Sequence, residues 1–217
     1  MDLGRGIVGS ILKYLGAVHG VDIQSPFAKL GAAGLMPDGP QPRARKLNES
    51  GLPEWFKAVD SLPAMQRDYL RVILLTGLRK NEGGGIRRQD VDLAGGVLVI
   101  RETKGNKSHS LPITELMREI LERRCEGLEP GGRLFDGLSV DHVTEMAERV
   151  GAPAFTLHDQ RKLLASVGAR MGVGDAILRR ILGHAPKRGD VLHRHYVTLD
   201  VADIREALGR IQNAVAR

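Results

Sequence analysis

Hydrophobic period constrains this chain more than any other feature. From Thr114 onward every apolar segment recurs at helical spacing: 114–126, 139–150, 157–171, 174–182 and 201–216. Upstream, LNESGLPEWFKAVDSLP and MQRDYLRVILLTGLRKNE read as two further helices, the second burying Leu70, Ile73 and Leu74. One stretch departs from the pattern. QDVDLAGGVLVIRETKGNKSHSLPI, residues 89–113, reads as β-structure, with VLVIR and SHSLPI as strands and KGNK as the turn. These patterns together predict an α+β fold, mainly α-helical, with one small antiparallel sheet. Aromatic residues make up only 4% of the chain, so its core must be built of Leu, Val, Ile and Ala.

The N-terminal part stands apart. Residues 6–18 form an amphipathic pattern with Ile7, Ile11, Leu12, Leu15 and Val18 on one face, and Ser25-Pro26 closes that piece. GAAGLMPDGPQPRARK, residues 31–46, is rich in Gly and Pro and reads as a linker. The apolar blocks near the N-terminus are short and broken by Lys13 and His19, which argues against a membrane span or a secretion signal. Cys125 is the only cysteine, so no intrachain disulfide can form, and a reducing, cytoplasmic setting is expected. Tyr14, Tyr69 and Trp55 lie in apolar patterns and are expected in the core.

Thirty-two Lys and Arg against 26 Asp and Glu leave a net charge of +6, which favours a polyanionic partner. Five polar clusters interrupt the apolar pattern. Arg79 lies in TGLRKNE with Glu82 three residues on; Lys104 lies at the strand–turn junction TKGNK. His158 and Arg161 share LHDQR, His184 lies in ILGHA, and Tyr196 lies in HRHYVTLD. Each has an ordinary reading taken alone. Arg79 and Glu82 make a surface ion pair, Lys104 a solvated turn, His158 and Arg161 a charged helix start. Gly183-His184 makes a helix C-terminus and Tyr196 a ring with a wet hydroxyl. His193 and His195, two apart, share no helix face and read as loop or backbone-phosphate contacts rather than metal ligands.

Taken in order, the clusters resemble the catalytic domain of the tyrosine recombinases, the phage-integrase family. That pattern runs Arg in T-G-L-R-x-x-E, Lys on a β-hairpin, H-x-x-R, L-G-H and a nucleophilic Tyr, and residues 50–217 carry all of it. The resemblance implies the recombinase catalytic fold with a three-stranded antiparallel sheet over residues 49–217, ending in a helix at 201–216. Residues 1–30 resemble the last helix and exit of a preceding core-binding domain, with 31–48 as linker, so a piece of a longer protein is expected. Departures are Gly83-Gly84-Gly85 after the acid, predicting an early helix end or a soft segment, and Gln160 and Lys162 beside Arg161, where the family more often has Leu and Arg. The interval from His184 to Tyr196 resembles that of phage-type members.

The chemistry implied is phosphodiester cleavage by a phenol. Tyr196 is the nucleophile, with a free pKa of about 10 that makes it weak unless its proton is taken. Arg79 and Arg161 offer planar forks to the non-bridging oxygens, and His184 adds a donor. Lys104 protonates the leaving 5′ oxygen, His158 accepts the tyrosine proton, and Glu82 orients Arg79. The bond energy is kept in a 3′-phosphotyrosyl link, so neither ATP nor a metal cofactor is expected. No G-x-x-x-x-G-K-[ST] loop or metal-spaced His/Cys cluster occurs in the sequence. The expected partner is double-stranded DNA at an attachment-type site, bound as a homotetramer by the full-length protein. The piece alone can be a monomer, with 201–216 packing either on a neighbouring subunit or on its own domain. A non-catalytic DNA-binding relative and a type IB topoisomerase remain the rival readings.

Overall fold

The computed structural model describes residues 2–35, 47–101, 108–184 and 200–216. The chain divides into two compact units, Met1–Ala44 and Arg45–Arg217. The first holds α1 (Asp2–His19) and α2 (Pro26–Ala32). Pro26 opens α2 instead of merely ending the preceding piece, because a proline at the first helical turn forfeits no hydrogen bond. Ile7, Ile11 and Val18 on α1 are exposed, and so is Tyr14, at 68%. The expectation that Tyr14 is a core residue is therefore corrected. Apolar periodicity shows that α1 has a face; it does not show that anything covers it.

The second unit runs α3 (Leu52–Asp60), α4 (Ala64–Thr76), α5 (Lys80–Gly84), β1 (Val91–Asp92), β2 (Val97–Ile100), β3 (His109–Pro112), α6 (Glu115–Cys125), α7 (Val143–Arg149), α8 (Leu157–Arg170), α9 (Asp175–Ile181) and α10 (Val201–Val215). The sheet order is β1-β2-β3, all antiparallel, with Leu98 opposite Leu111 and Ile100 opposite His109. Leu98, Ile100 and Leu111 point into the core, as the two-residue alternation of a strand requires. Tyr69, Trp55, Leu70, Ile73 and Leu74 are fully buried, and α4 packs on α8 at the centre.

Two helices expected from the sequence are cut short. The run from Met65 to Glu82 is broken, not continuous: Gly77 adopts a left-handed φ of 64° and caps α4, its N–H bonding Ile73 O at 2.9 Å. Thr76 Oγ1 donates to Val72 O and accepts from Leu78 N–H, which helps close the turn. The segment expected at 139–150 is helical only as α7, since 139–142 form a turn in which His142 N–H bonds Ser139 O. The early stop foreseen at Gly83–Gly85 is present, and Gly83 has a packing reason. A Cβ there would lie 2.4 Å from Ile73 Cδ1, so glycine lets α5 sit directly on α4.

α10 packs on its own domain, against α8, α9 and β3. Ile204, Leu208, Ile211 and Val215 are buried, while Val201 at the helix start is half exposed. Each buried aliphatic side chain contributes about 1.5–3 kcal/mol, so the stripe dominates the docking energy. Register comes from a polar clasp: Gln212 Nε2 donates to Leu75 O at 2.7 Å and Thr114 Oγ1 donates to Gln212 Oε1. Asp68, fully buried on α4, is held by Arg123 and Arg124 of α6. Among the described residues no helix is long and apolar enough to cross a membrane.

Gln160 is a local conflict. It is fully buried on α8, its Nε2 reaches Leu70 O only at 3.4 Å, and its Oε1 has no partner among the described residues. A buried acceptor without a bond costs about 1–3 kcal/mol, and Leu70 O keeps a helical position without it. Gln160→Leu should therefore raise stability by about 1 kcal/mol in urea unfolding at pH 7; a loss of more than that would show that the amide has a bond partner or that Leu does not fit.

Candidate active site

Arg79 is placed by the break after α4. Its backbone is extended (φ −73°, ψ 155°) and it stands at the N-cap of α5. Glu82, three residues on and 3% exposed, takes Arg79 N–H on Oε2 at 2.8 Å and Arg79 Nη1 on Oε1 at 2.6 Å. One carboxylate thus caps the helix and holds the guanidinium. Arg79 is 38% exposed, so the rest of its fork faces outward.

α8 begins with a capping box that the sequence carries as Thr156-x-x-Asp159. Thr156 Oγ1 accepts Asp159 N–H at 3.2 Å, and Asp159 Oδ2 accepts Thr156 N–H at 2.9 Å. This start sets the rotation of the helix. His158 falls in its first turn and is exposed; Arg161, one turn on, is buried. The two histidine and arginine groups thus share a helix side at different depths, not a common surface.

Arg161 binds three groups at once. Nη1 donates to Gly77 O at 2.5 Å, and Nη2 donates to Leu182 O at 2.5 Å and lies 2.8 Å from His184 Nε2. A guanidinium only donates, so His184 Nε2 is the acceptor and its ring proton belongs on Nδ1. Burial first, then the charge of Arg79, holds the Arg161 pKa down at about 10, with Glu82 opposing; it remains a cation at neutral pH.

His184 is aimed by the end of α9. Gly183 has φ 59°, its N–H bonds Arg180 O at 3.2 Å, and His184 N–H bonds Arg179 O at 2.9 Å. That pair of bonds is a Schellman motif, and it throws His184 back toward Arg161. His184 is exposed overall, yet partial burial, followed by the charges of Arg161, Arg79 and Arg179, lowers its pKa, with Glu82 pulling the other way.

Arg79, Glu82, Arg161 and His184 therefore converge. Lys104 and Tyr196, like His193 and His195, lie outside the described residues. His109 escaped the sequence reading. It is buried on β3, and burial pushes its pKa below the usual histidine range; Glu82 pulls it up, while Arg180, Arg161 and Arg79 push it further down. Its position two residues before Leu111, on the same strand face, was the available signal. Among the described residues no group of three or more His, Cys, Asp or Glu is placed to hold a metal ion.

The sequence profile of the phage integrase family matches residues 45–200. The chain belongs to that family. A tyrosine recombinase XerA of Thermococcus kodakarensis is 33% identical over 137 residues, covering 57% of this chain and 49% of the relative. The XerA of Saccharolobus solfataricus is 26% identical over 135 residues, covering 61% and 46%. The chain spans about half the length of these curated relatives. Its fold matches the integrase of mycobacterium phage Brujita (TM-score 0.56, 16% identity, 97% of this chain and 70% of that one). It also matches XerA recombinase (0.53, 19%, 95% and 82%) and a lambda integrase dimer bound to a COC′ core site (0.54, 17%, 80% and 71%). The fold is that of the tyrosine-recombinase catalytic domains, mainly helical with a small three-stranded antiparallel sheet.

The depressed histidines have a pH consequence for this integrase-family domain. A histidine whose pKa is lower folded than unfolded binds its proton more readily in the unfolded chain. Below about 6.5 the unfolded state therefore takes up more protons, and stability falls as pH drops toward the folded values. The urea midpoint should fall between about pH 7.5 and 5.5, and fall less in His109→Gln, because the buried ring carries most of the effect. Equal slopes in the two proteins would show that His109 is not the group responsible.

Proposed function

We propose that this chain is the catalytic part of a phage-type site-specific recombinase that cuts and rejoins double-stranded DNA through Tyr196. The observation that carries the reading is the convergence of Arg79, held by Glu82, with Arg161 and His184, from three separate helix ends, into one cationic site. Such a site suits a phosphate whose charge grows during reaction, because its donors are fixed beforehand.

In this reading Tyr196 Oη attacks the scissile phosphorus and the bond to the 5′ oxygen breaks. The products are a 3′-phosphotyrosyl protein and a 5′-hydroxyl. Arg79, whose fork is partly open to solvent, takes the non-bridging oxygens first. Arg161 lends charge from below, with Nη1 engaged on Gly77 O and Nη2 on Leu182 O and His184 Nε2. His184, neutral and with its proton on Nδ1, donates one hydrogen bond without adding a charge. Exposed His158 accepts the phenol proton and Lys104 gives one to the leaving oxygen. A 5′-hydroxyl from another strand reverses the sequence, so the exchange runs without ATP or metal. The natural substrate is an attachment-type DNA site, and the longer protein works in the cytoplasm as a tetramer on that DNA; a lambda integrase tetramer bound to a Holliday junction shares this fold. With α10 seated on its own domain, this chain alone is read as a monomer.

The test is covalent trapping on nicked duplexes that tile the DNA beside the gene. Wild type should give an SDS-resistant adduct linked through Tyr196, and Tyr196→Phe should give none while still binding DNA. Arg79→Ala should slow adduct formation by about 10²–10³. DNA binding without an adduct from any duplex would instead support a non-catalytic DNA-binding relative. Relaxation of supercoils without strand exchange would support a type IB topoisomerase.

A further inference from the structure

His109 is an odd residue to bury. It is 9% exposed, and neither Nδ1 nor Nε2 has a hydrogen-bond partner among the described residues. A neutral imidazole carries one N–H and one lone pair, and leaving both unmet inside a protein is costly. An aliphatic side chain would fill the same space with no such cost. Buried polar groups are nearly always satisfied, so an exception calls for a reason.

The reason lies in what the ring touches. A Cβ built on Gly183 would lie 2.7 Å from His109 Cε1, 2.9 Å from Nδ1 and 3.0 Å from Nε2. The polar edge of the imidazole is pressed onto the bare Cα of the glycine that aims His184. Glycine is required at 183 twice over, by its left-handed φ and by this contact. The other end of the contact matters equally. His109 is the first residue of β3 and pairs with Ile100, the last of β2. It therefore stands at the foot of the connection, residues 101–108, that carries Lys104. Arg180 of α9 also reaches across to Ser110 Oγ at 3.4 Å, tying the same strand to the same helix end.

We propose that His109 is a positioning residue, a strut between the base of the Lys104 hairpin and the Gly183–His184 turn, which fixes where His184 points in the reacting site. It touches no reacting atom. A flat ring fits against a Cα that has no side chain, and any branched replacement would push the turn away. The strut ties strand β3, which follows Lys104 in the chain, to the turn that presents His184. The proposal rests on the recombinase reading above.

The test uses the whole chain with His109→Ala, Gly183→Ala and the double variant. Three quantities are read: the adduct rate on the nicked duplex that wild type cleaves, DNA affinity, and the titration of the His184 ring by NMR. His109→Ala should stay folded, since it removes two unmet nitrogens along with its contacts. It should bind DNA within about twofold of wild type and form adduct at least about tenfold more slowly. Its His184 titration midpoint should move up toward that of a free histidine, as water enters beneath Gly183. Gly183→Ala should also be slow, and part of its loss should be recovered when His109→Ala is added, because the clash is then gone. A wild-type adduct rate in His109→Ala, or an unmoved His184 titration, overturns the proposal. So does an equal Gly183→Ala loss in both backgrounds. Failure of the wild-type chain to form any adduct would overturn the recombinase reading itself, whatever His109 does.

Discussion

A single buried guanidinium organises the Arg45–Arg217 unit. Taking a charge out of water costs several kcal/mol, and among the described residues no carboxylate is in ion-pair contact with Arg161, Glu82 acting on it only through space. Its compensation comes from two helix ends. Gly77 caps α4 and Leu182 caps α9, and the carbonyls of both point at the guanidinium. The C-terminal end of a helix carries about half a negative charge, so two such ends facing one cation offset much of its burial. This explains why the T-G-L-R and L-G-H segments, a hundred residues apart in sequence, meet where they do. Each must terminate a helix on a glycine or beside one, and each must offer its last carbonyls to the same cation. Arg79 and His184 then fall into place on either side.

Much of this was legible in the sequence, for a physical reason in each case. The sheet showed because Val97–Ile100 and His109–Pro112 are the wrong length and composition for helices, with the turn-forming residue types KGNK in the sequence between them. The core of α4 showed because Leu70, Ile73 and Leu74 repeat at helical spacing. The break at Gly77 did not, because Leu78 continues the apolar pattern and hides the stop. Nothing in LHDQR says that Arg161 is buried and His158 is not; that follows from the capping box at Thr156, which sets the helix rotation. The glycines after Glu82 announced an early helix end or a soft segment; the helix does end there, and Gly83 is close packing on Ile73. The phase of His109 with Leu111 announced its burial, but what it touches is a bare Cα, and no pattern of residue types announces that contact. Tyr14 was misplaced because periodicity names a face without naming its cover.

The C-terminal helix shows two interactions dividing the labour. Its aliphatic stripe supplies affinity for the domain, and Gln212, between Leu75 O and Thr114 Oγ1, supplies register. A slip by one helical turn would keep most of the apolar stripe facing inward but leave the buried amide unsatisfied, which a low-dielectric interior penalises. Affinity and alignment thus come from different residues of one helix.

The Schellman turn after α9 makes helix length itself a determinant of the site. His184 is oriented by where α9 stops, not only by what surrounds it. One residue added to or removed from α9 rotates its end by about 100° and shifts it by about 1.5 Å. Point substitutions on the outer face of this helix leave that phase alone, whereas a single codon inserted within it would swing the histidine away from Arg161. The spacing between Gly174, where α9 is capped, and Gly183, where it ends, is for this reason a tighter constraint than the identity of most residues between them.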